Sequence, residues 1–110
     1  MTLRELPVIA EPRFDLVAPD VTEGVAAAAL LADRNRAAIL RMLRDGPHCV
    51  CELAAALGQS QNNISNHLAR LREAGLVRAA RHATNARFQY YERDEAAIDR
   101  LRIALRDVTG

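Results

Sequence analysis

Two stretches of this chain carry side chains whose types and spacing can do chemistry. The first is Cys49-Val50-Cys51, which holds the only two cysteines of the 110 residues. Thiolates are nucleophiles and ligands for soft ions. Two thiols this close are not the disulfide framework of a secreted domain; they point to metal or redox chemistry. On a regular helix, residues two apart project to nearly opposite sides. Joint use on one ion therefore requires a non-helical cap or an unwound first turn, and Pro47 before the pair supplies such an entry. A helix start also lowers a thiol pKa and favours the thiolate. Two sulfurs under-coordinate a soft ion, so His48, a carboxylate such as Glu5, Glu11 or Asp15, or water must complete the shell. The alternative is two cysteines that pack as small apolar groups and bind nothing.

The second stretch is Ser60, Gln61, Asn62, Asn63, Ser65, Asn66 and His67, crowded into two turns. Amides and hydroxyls are mediocre helix formers, and a solvated helix favours Glu, Lys, Arg and Ala instead. They hydrogen-bond base edges well, and Asn or Gln can grip adenine with two bonds. The first five of these and Asn66 are the candidate base contacts. Arg70, Arg81 and Arg87 are the candidate phosphate contacts, with Arg72, Arg78 and His82 nearby. The charge agrees. The chain has a net charge of only +1, yet residues 60–93 hold six Arg against Glu73 and Glu92, a balance of +4. A nucleic-acid footprint requires that kind of segregation. The chain has no Lys, and its Arg residues suit bidentate phosphate and guanine contacts.

These groups need elements to position them. Residues 1–20 contain three prolines and no sustained period, the pattern of an arm. Asp20 or Thr22 caps a first helix to about Leu31. Asp33 caps a second over 34–44, with Ala38, Ile39, Met42 and Leu43 on one side. A third runs over about 49–57 and stops at Gly58. Ser60 caps a fourth to Ala74, where Ile64, Leu68 and Leu71 recur at i, i+4 and i+7 and Gly75 follows. Residues 76–81 and 87–91 read as strands around a turn at 82–86. Asp94 caps a last helix with Ile98, Leu101, Leu105 and Val108 on one face, a stripe suited to a dimer interface. The expected fold is mainly α with a small β-hairpin, a winged helix-turn-helix in the order α-α-α-α-β-β-α over residues 21–110.

Other classes are excluded or disfavoured. The longest apolar run, residues 25–32, is too short to span a bilayer, and no membrane partner is expected. The first residues lack the features of a signal peptide, so the expected location is cytoplasmic. No Gly-rich phosphate loop, Ser/His/Asp set or HExxH pattern is present, and no enzyme is expected. A winged-helix module that binds protein instead of DNA is the rival from another class.

Cys49-Val50-Cys51-Glu52-Leu53, the run from Ser60 to Leu68, and Leu71-Arg72-Glu73-Ala74-Gly75-Leu76-Val77 together resemble the ArsR/SmtB family of metal-sensing repressors. The resemblance covers about residues 20–110. It implies a homodimer held by the first and last helices, a double-stranded operator with dyad symmetry, and release of DNA when an inducer binds. The paired cysteines resemble the thiol site of arsenic and cadmium/lead sensors, which implies arsenite, cadmium or lead as the inducer. The third thiol of the arsenic sensors is replaced here by Ala54, and the arm lacks the thiols of the cadmium/lead sensors. A second family site, for zinc or nickel, is matched by Asp94. Ala96 and Asp107 stand at its histidine positions and Gly110 at its last ligand. A repressor that responds to thiol oxidation on the same fold is the alternative mechanism.

Overall fold

The computed structural model describes residues 19–80 and 88–110. The elements are α1 (Pro19–Leu31), α2 (Arg34–Leu43), β1 (His48–Cys49), α3 (Val50–Leu57), α4 (Gln61–Glu73), β2 (Val77–Ala79), β3 (Tyr90–Arg93) and α5 (Glu95–Asp107). The arm up to residue 18 and the wing turn, with Arg81 and Arg87, lie outside the described residues. No helix among those described is long and apolar enough to cross a membrane.

Asp33, Ser60 and Asp94 cap their helices as expected, but neither Asp20 nor Thr22 caps α1. That helix already begins at Pro19, a residue whose fixed φ suits a first helical position, so both lie inside it. Asp33 accepts the N–H groups of Asn35 at 2.8 Å and Arg36 at 3.1 Å. Asp94 accepts that of Ala97 at 3.0 Å. These bonds hold both carboxyls below the usual aspartate range, chiefly through the Arg36 N–H for Asp33 and the Ala97 N–H for Asp94. Past the end of α4, Gly75 takes a φ of +77°. There its N–H reaches the Arg72 carbonyl at 2.9 Å, and the Leu76 N–H reaches that of Leu71 at 3.0 Å. This paired closure needs a residue free to adopt the left-handed region.

The β region differs from the expected two-stranded hairpin. It is a three-stranded antiparallel sheet in the order β1-β3-β2. His48 pairs with Tyr91 and Cys49 with Tyr90, while Val77, Arg78 and Ala79 pair with Arg93, Glu92 and Tyr91. The second strand of the hairpin runs over Tyr90–Arg93, with Phe88 and Gln89 outside it, while the expected start at residue 87 lies outside the described residues. β1 is two residues long and follows a proline, so no alternation marks it; only its partner strand makes it a strand.

The core gathers one face from each helix. Ile39, Leu40 and Leu43 of α2, Leu53 and Ala54 of α3, and Ile64, Leu68 and Leu71 of α4 are buried with Leu76, Val77, Ala97 and Ile98. The α5 stripe is divided: Ile98 is buried in the protomer's own core with Leu101 packed against it, while Leu101, Leu105 and Val108 stay partly exposed. Arg93 is buried as well. Its guanidinium holds Glu95 through two bonds of 2.8 and 2.7 Å and donates to the Leu40 carbonyl at 3.1 Å. The bonds to Arg93 keep the Glu95 carboxyl below its usual range.

α1 lies along α5, and the approach is closest at Gly24. A Cβ there would stand 2.6 Å from the Ala104 carbonyl oxygen and 2.7 Å from Val108 Cβ. Overpacking of this kind costs about 1–3 kcal/mol, more than the roughly 1 kcal/mol of helix propensity that alanine adds over glycine. Gly24→Ala is expected to lower the thermal unfolding midpoint despite its better helix propensity. An unchanged or raised midpoint by circular dichroism would show that the helices do not meet this closely.

Candidate nucleic-acid interface and thiol site

Gly58 takes a φ of +62° at the end of α3, and the Gln59 N–H returns to the Ala54 carbonyl at 3.0 Å. Ser60 then caps α4 by accepting the Asn63 N–H at 3.0 Å. The connection is three residues long, the tight turn of a helix-turn-helix. Burial of Ile64, Leu68 and Leu71 fixes which side of α4 faces out. On that side Gln61, Asn62, Ser65, Asn66 and Arg70 are exposed, a continuous polar face over the first turns. A recognition helix presents its N-terminal residues to base edges in this manner.

Other candidates are committed elsewhere. The side-chain amide of Asn63 donates to Gln59 Oε1 at 2.7 Å, which ties α4 to the turn before it. His67 is half-buried and turned toward α2. Arg78 pairs with Glu92 of β3 at 3.3 Å and with Asp94, the cap of α5, at 3.2 Å, so its charge has carboxylate partners within the protomer. Arg70 and Arg72 have no carboxylate partner among the described residues, and both are exposed.

At the thiol pair, Cys49 is the N-cap of α3 with extended backbone (φ −87°, ψ 165°), which supplies the non-helical entry that the spacing requires. Its sulfur accepts the Glu52 N–H at 3.4 Å, and Glu52 Oε1 accepts the Cys49 N–H at 3.0 Å, a reciprocal capping box. The Cys49 N–H is the main reason the Glu52 carboxyl lies below its usual range; the His48 side chain, 3.4 Å away, adds to it. Cys49 and Cys51 are joined as a disulfide, with Cα atoms 5.4 Å apart. Cys49 is buried and Cys51 half-buried. Both line a cavity of about 190 Å³ with Val50, Gln61, Phe88 and Gln89. Gln61 is the first residue of α4 and Phe88 lies just before β3, so the sulfur pair shares a wall with the start of α4 and the approach to β3. Sequence reasoning missed Phe88 and Gln89, because only β1–β3 pairing brings them here.

The remaining candidate ligands are not gathered in one chain. Asp94 and Asp107 stand at opposite ends of α5, roughly 20 Å apart along its axis. Asp107 is paired with Arg106 at 3.2 Å. No three His, Cys, Asp or Glu side chains converge among the described residues.

Because Cys49 caps a helix, its replacements separate two roles. Cys49→Ser keeps a capping oxygen and is expected to leave stability nearly unchanged under reducing conditions. Cys49→Ala removes the cap and is expected to cost about 1 kcal/mol. Equal denaturation midpoints for the two variants would mean that the capping box contributes nothing.

A family model described as "Bacterial regulatory protein, arsR family" matches residues 33–79, from the cap of α2 to the end of β2. The chain is 53% identical over 49 residues to the arsenical resistance operon repressor of Escherichia coli (strain K12), a stretch covering 44% of this chain and 42% of that protein. It spans less than half the length of the curated arsenic regulators it matches. A crystal structure of a "Possible transcriptional regulator for arsenical resistance" superposes with a TM-score of 0.65 at 35% identity, over 76% of this chain and 82% of that one. The solution structure of a homodimeric winged helix-turn-helix DNA-binding domain, Mb0332 from Mycobacterium bovis, does so with a TM-score of 0.59 at 28% identity, over 88% of this chain and 85% of that one. The helix-turn-helix, the antiparallel sheet and these matches lead to one conclusion: the chain belongs to the arsR family of bacterial regulatory proteins.

Proposed function

We propose that the chain is a DNA-binding transcriptional repressor that acts as a homodimer and leaves its operator when a soft metal or metalloid ion binds Cys49 and Cys51. The observation that carries this reading is the shared cavity: the two sulfurs and Gln61, the first residue of the reading helix, line one space. The donor chemistry fits in the reduced form. Two thiolates on Cα atoms 5.4 Å apart suit arsenite, cadmium or lead, whereas a disulfide offers no charged ligand. An ion held there changes the wall against which Gln61 rests. Release requires only that the ion bind the DNA-incompetent form more tightly than the competent one. The relative named as an arsenical resistance operon repressor supports the metalloid class.

The homodimeric relative supports two-fold assembly. On the α1–α5 pair, Val25 and Ile103 remain 55% and 48% exposed, an apolar outer face suited to a second copy. One observation favours a second mechanism. The Cys49–Cys51 disulfide is itself a formed state of the site, so oxidation and reduction alone would change α3 at its first turn.

Binding measurements over a salt series test the reading. Gln61→Ala is expected to cost about 1–3 kcal/mol on the operator and little on random duplex, since a base contact specifies sequence. Ile103→Glu is expected to yield a folded monomer by sedimentation, with operator binding lost. With reduced protein, arsenite, cadmium or lead should lower operator affinity, and Cys49→Ser/Cys51→Ser should still bind DNA but ignore the ion. Release of that double variant by the same ion concentration would remove the thiols as the sensor and turn attention to zinc or nickel at Asp94 and Asp107. Loss of operator binding by peroxide-treated, ion-free protein, restored by dithiothreitol, would favour the redox mechanism.

A further inference from the structure

Three helices meet at one guanidinium. Arg36, in the first turn of α2, has a side chain only 15% exposed. Its Nε donates to the Leu30 carbonyl at 2.6 Å and its Nη2 to the Ala29 carbonyl at 3.4 Å, both at the end of α1. Its Nη1 stands 3.5 Å from Nδ1 of His67 on α4. Asp33, the cap of α2, lies 4.0 Å from that guanidinium and 3.8 Å from His67 Nε2. A guanidinium only donates, so Nδ1 of His67 is the acceptor and the ring hydrogen lies on Nε2, toward the Asp33 carboxylate. The ring is 13% exposed and faces away from the reading surface.

The position of this cluster matters for what α4 does. α1 is joined to α5 through the close approach at Gly24, and that pair carries the exposed Val25 and Ile103. The reading residues are on α4. Arg36 therefore links the end of the helix that carries Val25 to the inner side of the helix that carries the reading residues. In a two-fold dimer the two reading helices must enter major grooves about one helical turn, roughly 34 Å, apart. A rotation of α4 against α1 is repeated in the second protomer, so it alters that spacing twice. Phosphate contacts tolerate such a shift, whereas base contacts do not.

We propose that Arg36, acting through His67, is the positioning residue that sets α4 against the α1–α5 pair and thereby selects the operator half-site spacing. The inference rests on the dimeric repressor reading above. A planar fork that serves the α1 carbonyls and His67 together is a property of arginine. A lysine keeps the charge but offers a single point of attachment.

The test compares wild type, Arg36→Lys, Arg36→Ala, His67→Ala and Arg36→Ala/His67→Ala, all in the full chain. Each is titrated with the operator, the operator with one base pair inserted between half-sites, and a random duplex. Arg36→Lys and Arg36→Ala are expected to lose about tenfold on the native operator, a typical coupling for contacting residues. Their affinity for random duplex should be unchanged, so the preference between the two spacings narrows. The double variant should be no worse than the worse of its two single variants. Circular dichroism of Arg36→Lys should show intact helices, which separates positioning from folding. Full spacing preference in Arg36→Lys, equal losses on all three duplexes, or additive effects of Arg36→Ala and His67→Ala would overturn the proposal. A second measurement needs no DNA. Nitrogen NMR of His67 should show the Nε2–H tautomer in the wild type and a changed ring in Arg36→Ala; an Nδ1–H tautomer in the wild type would also overturn it. If wild type fails to prefer any dyad-symmetric duplex over random DNA, the repressor reading itself fails, and the His67 tautomer still judges the Arg36 contact.

Discussion

The burial of Ile64, Leu68 and Leu71 is the constraint on which the rest of the molecule depends. These three side chains are at most 1% exposed. Burying a branched side chain of this size contributes about 1.5–3 kcal/mol, so α4 has one stable rotation about its axis. That rotation turns Gln61, Asn62, Ser65, Asn66 and Arg70 outward. The apolar side of the helix thus determines the chemistry offered by its polar side. Ser60 and Gly75 then set where the helix begins and ends.

The sheet does for the thiol pair what the core does for α4. A two-stranded hairpin is marginal alone. The short β1 adds a third strand, and the Arg93 guanidinium ties the end of β3 to Glu95 and to the Leu40 carbonyl. Because Cys49 pairs with Tyr90, the first turn of α3 is held against the strand that follows the wing. Cys49 is at once strand residue, helix cap and sulfur donor. A chemical change at that sulfur reaches three elements without any long-range path.

Beyond the shared core, two contacts of different kinds set how α1 lies against its neighbours. At Gly24 the absence of a side chain lets α1 lie close against α5. At Arg36 a half-buried charge gathers the end of α1, the cap of α2 and His67 of α4. The first is a steric contact with little directional preference; the second is directional, because hydrogen bonds weaken when misaligned. Packing thus holds the helices together, while the guanidinium fork governs their angle.

Much of this was legible in the residues themselves. Local interactions between neighbours in sequence determined the helices: Asp33, Ser60 and Asp94 as caps, Gly58 and Gly75 as stops, and the i, i+4, i+7 spacing of Ile64, Leu68 and Leu71. The same locality made the polar face of α4 and the thiol pair visible. What depended on distant partners was not legible. β1 has no pattern of its own, since two residues become a strand only beside β3. The α5 stripe reads as a free apolar face, yet Ile98 belongs to the protomer's own core, because helical period says which residues share a side and not what covers it. Asn63 and His67 read as members of the polar run, but Gln59 and Asp33 draw them away from it. The meeting of Phe88 with the sulfur pair, and of Arg36 with His67, joins residues more than thirty positions apart. Only the packing of the helices and the pairing of β1 with β3 bring such residues together, since spacing along the chain carries no information about contacts made by folding back on itself.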